Sequence, residues 1–377
     1  MTETTKPESA TKPERDKARA AAFMANITGI MNGGALSLMC SIGHKTGLFD
    51  TMANLQPATS AEIAEAAGLE ERYVREWLAA MTAGELVDHD AEAATYHLPP
   101  EHASLLTRAA GPLNLTTYCQ YISLLGQVED EVVDAFHNGG GVPYDRYPRF
   151  QTLMAESSGQ RLSQALIDQV VPLLPDGESR LTSGIDVADV GCGSGRALNL
   201  LAATYPASRF TGYDISTGAL DRARTEATEA GTTNIEFIER DAAQLEETER
   251  FDVVTSFDAV HDQAHPDAML AGIFAAMRPG GTYLCVEPKA SSHLHENLDM
   301  PMAPMMYTIS TMHCMTVSLA YDGEGLGTAW GEQLAIEKLT AAGFSSIEVT
   351  GIKADRANHY LLATKAPTPD ASTGGVS

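Results

Sequence analysis

The stretch Val187-Ala188-Asp189-Val190-Gly191-Cys192-Gly193-Ser194-Gly195, followed by Arg196-Ala197-Leu198-Asn199-Leu200-Leu201, decides how the chain is read. A short apolar run enters glycines at alternate positions, and a helical spacing of apolar residues follows at once. Glycines at such a turn remove side chains, so a ligand can lie against bare backbone at the carboxyl end of a strand. The spacing is G-x-G-x-G. A dinucleotide fingerprint would require glycine where Arg196 stands, and no G-x-x-x-x-G-K-[ST] phosphate loop occurs. Alone, the turn fits both a ligand cradle and a plain strand-to-helix connection. The sequence downstream separates the two.

From residue 185 onward strands and helices alternate, the pattern of a doubly wound α/β sheet. The predicted strands are Val187–Val190, Arg209–Asp214, Ile235–Ile238, Phe251–Ser256, Thr282–Glu287, Ser346–Thr350 and His359–Thr364. Residues 288–328 form an insertion after the fifth. Three of the strand ends carry acids: Asp189 before the glycine loop, Asp214 after strand two and Asp241 after strand three. A carboxylate after strand two can accept both hydroxyls of a ribose. One beside Ala242 can accept from an adenine amino group.

Upstream, Phe23 to Phe49 is spaced as a helix, with Gly33-Gly34 allowing close helix packing. Thr59-Ser60-Ala61-Glu62 is a capping box that opens a helix ending at Gly68. A second helix, ending at Gly84, places Tyr73, Val74, Trp77, Leu78 and Met81 on one face. Leu86-Val87 and Tyr96-His97-Leu98 then read as a hairpin. Helix–turn–helix plus hairpin is a winged-helix unit. The exposed side of its second helix offers Arg72 and Arg75 beside Glu70, Glu71 and Glu76, and a DNA-reading helix needs a net cationic surface. Dimerisation or covering a substrate is therefore the expected role. The domain boundaries expected are a disordered tail at 1–18, a winged-helix/dimerisation domain at 19–110, a helical connector at 111–180, an α/β domain at 181–365 and a disordered tail at 366–377.

The chain of 377 residues carries 50 acidic and 25 basic side chains, a formal charge of −25. Such a field repels nucleic acid and anionic membrane surfaces. Five scattered cysteines without a C-x-x-C pair argue against disulfides and structural zinc, so a reducing cytoplasm and no metal are expected. No apolar run of spanning length occurs, so no membrane association is expected.

With these residues in place, the α/β half resembles the class I S-adenosylmethionine-dependent methyltransferases. Asp189-Val-Gly191-Cys192-Gly193-Ser-Gly195 resembles that family's first motif and Tyr213-Asp214-Ile215-Ser216 its second. Asp241-Ala242 is similar to the adenine-side motif, and Arg278-Pro279-Gly280-Gly281 to the turn before strand five. The resemblance implies a seven-stranded Rossmann-like sheet. It implies S-adenosylmethionine as cofactor, held by Asp189, Gly191, Cys192, Gly193, Gly195, Asp214, Ile215, Asp241, Ala242 and Phe257. With its winged-helix amino-terminal domain, the chain also resembles the dimeric small-molecule O-methyltransferases. That narrower resemblance implies a homodimer and a small-molecule acceptor. It places a catalytic His261-Asp262 pair after strand four, with Glu287 at the end of strand five holding the histidine.

The chemistry agrees. A hydroxyl attacks a methyl group poorly until its proton leaves, and a histidine oriented by a carboxylate can take that proton. The acceptor side is expected to include Tyr144 and Tyr147, from the glycine-rich break at 139–147, with Met305, Met306, His313 and Trp330 in and after the Met-rich insertion. The tyrosines serve either a packed loop or a flap. The insertion reads as an adaptable apolar lid, with glycines from 323 to 331 as its hinge. A small thiol or thioether acceptor is the alternative within this class. A ligand-sensing winged-helix regulator and a cofactor-binding protein without catalysis are the alternatives outside it.

Overall fold

The computed structural model describes residues 15–150, 152–154, 156 and 165–368. The chain divides into two units, the first ending at Thr107 and the second beginning at Arg108. Most of both expected tails lies outside the described residues. Lys17 and Ala18, expected in the first tail, instead open a helix, because the Asp16 side chain accepts from the Ala18 and Arg19 amides.

The first unit consists of α1 (Lys17–Thr46), α2 (Leu48–Ala53), α3 (Ser60–Ala67), α4 (Glu71–Ala83), a short hairpin of β1 (Asp88–Asp90) and β2 (Thr95–His97), and α5 (Pro100–Leu106). The helix expected over 23–49 breaks at Gly47, whose φ of 75° only glycine adopts without strain. The capping box of α3 is formed in both directions, with the Glu62 amide on Thr59 Oγ1 and the Thr59 amide on Glu62 Oε2. Val74, Trp77, Leu78 and Met81 of α4 are buried, and the Trp77 indole donates to the Met39 carbonyl of α1. Tyr73 is not on that face. It is 81% exposed, one position round the helix from Val74 and beyond the edge of the apolar stripe. Gly33 and Gly34 mediate no packing among the described residues, since a Cβ on either would meet nothing within 4 Å.

The second unit is built on a seven-stranded sheet. Its strands are β3 (Asp186–Val190), β4 (Arg209–Asp214), β5 (Ile235–Glu239), β6 (Phe251–Phe257), β7 (Met277–Pro288), β8 (Ser346–Thr350) and β9 (Asn358–Thr364). They stand in the order β5-β4-β3-β6-β7-β9-β8, with β9 antiparallel to both neighbours. Alternate residues feed opposite faces. Ala188, Val190 and Val254 pack towards the helices Pro266–Ala276 and Gly331–Ala342, whereas Val187 and Val253 pack towards Arg196–Thr204 and Thr217–Ala230. The chain leaves β3 for β4 on one side and β6 stands on the other. The crevice between the carboxyl ends of β3 and β6 is therefore the switch point at which such sheets bind ligands.

The insertion after β7 forms the helices Leu294–Asn297, Ala303–Ile309 and Met315–Ala320, with a π-helical turn at Ser310–Cys314 between the last two. The glycines that follow serve close approach, which corrects the expected hinge. A Cβ on Gly331 would lie 2.1 Å from the Ser292 amide nitrogen, and one on Gly323 would lie 2.4 Å from Ser318 Oγ. The Gly327 amide donates to the His261 carbonyl at 3.1 Å, so this stretch is tied to the end of β6.

Candidate active site

Every residue that the sequence points to lies in the second unit. At the carboxyl end of β3, the Gly191 and Cys192 amides both donate to the Tyr213 carbonyl of β4, which sets the loop across the sheet edge. The loop then turns through Gly193, whose φ is 53°. A Cβ there would meet no atom within 4 Å, so Gly193 leaves open floor. A Cβ on Gly195 would instead strike the Phe237 ring at 2.5 Å, so that glycine lets helix and sheet pack. The Cys192 sulfur is turned towards Gly212, 2.8 Å from where a Cβ on that glycine would stand. Asp214 Oδ2 accepts from the Gly193 amide at 2.7 Å and Oδ1 from the Ser216 amide at 2.8 Å. One carboxylate thus fixes both loops of the cradle. Ile215 beside it is exposed, while Ala242 and Phe257 pack into the two cores. Asp241 caps the turn Ala242–Gln244 by accepting from the Ala243 amide.

The electrostatics of this cradle are one-sided. Asp189 is buried and accepts from Thr255 Oγ1 at 2.7 Å. Burial, with Asp214 nearby, raises its pKa to about 7. Burial also raises Asp214 against three amide donors. Asp262 is raised to about 6 by burial, with His261 opposing and Glu287 and Asp214 adding. No lysine or arginine is among the groups acting on these acids. Clustered carboxylates with no lysine or arginine partner are relieved by a positively charged ligand. A cofactor with a sulfonium centre and no phosphate fits this donor set and the bare floor at Gly193.

The acceptor side is built on β6, β7 and the insertion. After β6 the chain turns at Asp258, with φ 52°, and brings His261 against Glu287 of β7. His261 Nδ1 stands 2.6 Å from Glu287 Oε2, and both residues are buried. Glu287 also accepts from the Ala259 amide at 3.2 Å, the Val260 amide at 2.8 Å and the Trp330 indole at 3.2 Å. The carboxylate therefore holds both the imidazole and the turn that carries it. Trp330 is 3% exposed and packs in the core behind Glu287, so it positions that carboxylate. Burial opposes a charge on His261, but Glu287 and Cys314 outweigh it and hold the imidazole well above its usual range. Cys314 makes a hydrogen-bonding contact with the same ring and accepts from Thr328 Oγ1 at 3.1 Å.

The structure gathers Tyr144, Tyr147, His313 and Met305 into one aromatic cluster with Phe150, Ile309 and Met312. Tyr147 donates to the Met312 carbonyl at 2.5 Å. Tyr144 reaches the charged region, its hydroxyl being pushed well up by burial, then by Asp262 and Asp214. Met306 is half-buried on the helix Ala303–Ile309, which also carries Met305. Sequence reasoning missed Thr255, Thr328, Phe150 and Cys314. No spacing marks them, because each acts through a contact distant along the chain. Among the described residues no cluster of His, Cys, Asp and Glu could hold a metal, and no helix is long and apolar enough to cross a membrane.

Sheet order, glycine cradle and strand-end acids together give the second unit a Rossmann-like methyltransferase fold. Residues 181–337 match the family model of a methyltransferase domain, and residues 34–108 match that of the Rv2258c-like winged HTH domain. The ubiquinone/menaquinone biosynthesis C-methyltransferase UbiE of Bartonella bacilliformis is 29% identical over 136 residues, 35% of this chain and 50% of that protein. The chain thus spans half the length of that curated relative. Among solved structures, the mitomycin 7-O-methyltransferase MmcR is similar with a TM-score of 0.69 at 16% identity, covering 93% of this chain and 100% of that one. Human N-acetylserotonin methyltransferase, in complex with its S-adenosylmethionine, has a TM-score of 0.60 at 20% identity, covering 94% and 100%. These two likenesses extend over the winged-helix and α/β parts alike.

The acid cluster gives a pH prediction. Asp189 and Asp262, with raised pKa values, keep protons up to about 7 and 6 that a free carboxyl would have lost near 4. A cationic ligand favours the ionised forms, so its binding releases protons below those values. The affinity for S-adenosylmethionine should rise about tenfold between pH 5.5 and 8 and level off above. Titration calorimetry at several pH values checks this. S-adenosylhomocysteine, whose sulfur is neutral, should show a smaller change.

Proposed function

We propose that the chain transfers a methyl group from S-adenosylmethionine to a hydroxyl of a small acceptor, with His261 as general base. The observation that carries this reading is the buried His261 Nδ1–Glu287 Oε2 contact of 2.6 Å beside an acid-lined cradle. S-adenosylmethionine, when bound, supplies an electrophilic methyl group on a positively charged sulfur. Glu287 holds Nδ1, so the other ring nitrogen of His261 takes the acceptor's proton. The entering hydroxyl displaces the Cys314 contact on that ring. Asp189 and Asp214 orient the donor, and Asp262 adds negative charge near it. Much of the acceleration then comes from holding donor and acceptor in line.

The test is product analysis after incubation with S-adenosylmethionine and a library of small hydroxyl and thiol compounds. Methyl ether formation is expected. Methyl thioether formation, or sulfonium formation from a thioether, would replace this reading with the S-methylation alternative.

The winged-helix unit is assigned to pairing two copies of the chain. Phe23, Ile30 and Met31 of α1 are 62%, 61% and 69% exposed, an apolar surface a monomer rarely leaves open at this density. Light scattering should give twice the chain mass of 40.1 kDa, and Ile30→Glu with Met31→Glu should reduce it to one. The regulator reading is the weaker one. Arg72 is paired with Glu76 and Arg75 with Glu71, which neutralises the cations of the helix that would enter a DNA groove.

A further inference from the structure

His313 is fully buried, and neither of its ring nitrogens has a hydrogen-bond partner among the described residues. Its ring stacks on Phe150 with centroids 3.7 Å apart and planes 12° apart. The edges of Tyr147 and Tyr144 close on it at 4.6 and 5.6 Å. Met305, Ile309, Met312 and Val317 pack into the same cluster. A buried imidazole without partners is costly, and native chains rarely keep one without a reason. The residue lies in the π-helical turn Ser310–Cys314, a distortion that recurs at functional sites. Its neighbour Cys314 touches the His261 ring, so the cluster adjoins the base. Burial, then repulsion from His261, lowers the pKa of His313 to about 3, so its ring is neutral and offers one donor and one acceptor.

We propose that His313 recognises the acceptor. The acceptor class that fits is a flat, uncharged aromatic hydroxyl compound with a second hydrogen-bonding group beside the methylated oxygen. The rings of Phe150, Tyr147 and Tyr144 suit a planar partner. A neutral imidazole satisfies an adjacent hydroxyl or carbonyl. It offers no counter-charge to a carboxylate, and Asp262 and Glu287 nearby repel one. The inference rests on the methyl-transfer reading only for which oxygen is methylated.

The test uses the full chain with catechol, phenol and benzoate as probes. Binding is read by calorimetry, and the His313 ring nitrogens by NMR on protein with labelled histidine. Catechol should bind about tenfold tighter than phenol, benzoate should bind weakest, and catechol should shift the His313 nitrogens. In His313→Phe, which keeps the stack on Phe150, the catechol-to-phenol ratio should fall to about one. His313→Asn, with an uncharged donor and acceptor, should restore part of it. Equal binding of catechol and phenol by the wild type, an undiminished preference in His313→Phe, or unmoved His313 nitrogens would each overturn the proposal. Conversion of S-adenosylmethionine to S-adenosylhomocysteine is measured separately. Its absence with the catechol preference intact would sink the methyl-transfer reading and leave the recognition role standing.

Discussion

Replacing His261 with Ala is expected to lower kcat by about 10²–10⁴-fold, the usual worth of a positioned general base. The affinity for S-adenosylmethionine should change little, because the cradle is built on β3, β4 and their loops and no hydrogen bond joins it to the imidazole. Stability should also hold. Glu287 keeps the Ala259, Val260 and Trp330 donors when the imidazole is gone, so the turn after β6 retains its anchor. Single-turnover rates at saturating donor check this. Turnover close to wild type would mean that no proton need leave the acceptor, as for a thioether.

Asp214→Asn is expected to act on the donor side. The carboxylate accepts from the Gly193 and Ser216 amides and stands at the end of β4, the position from which an acid accepts ribose hydroxyls in nucleotide-binding sheets. The amide can keep only part of this set and carries no charge. Loss of charge-assisted bonds at this position should weaken S-adenosylmethionine binding by about 100-fold or more. With saturating donor, most of kcat should return, since His261 and Glu287 are untouched. A raised KM with nearly normal kcat would mark uniform binding, whereas a matching fall in kcat would mean that Asp214 acts in the chemical step.

Much of this was legible in the sequence, for identifiable reasons. The strands of the sheet were readable because most are short apolar runs closed by glycine, proline or an acid, and β4 and β8 were located residue for residue. The α3 helix was readable because Thr59 and Glu62 satisfy each other's backbone donors locally. The His261–Glu287 contact was reached only through family resemblance, since nothing in either residue's neighbourhood announces a partner on another strand. Tyr73 was misplaced because helical periodicity defines the middle of an apolar face better than its edge. The glycines at 323 and 331 read as a hinge because composition does not distinguish freedom from close approach. Only the positions of Ser318 and Ser292 make that distinction. The unpartnered state of His313 is likewise a tertiary property.

The central claim, that His261 held by Glu287 is the base, is tested most directly by the pH dependence of kcat/KM in the wild type beside Glu287→Gln. Glu287 and Cys314 keep His261 protonated above its usual range, and only the deprotonated imidazole can act as base. The wild-type rate should therefore climb about tenfold per pH unit on its acid limb and level off above the imidazole pKa. Glu287→Gln removes the larger supporting charge, so its limb should move to lower pH while its plateau falls. A limb that stays in place in Glu287→Gln, or a wild-type rate independent of pH, would contradict the account.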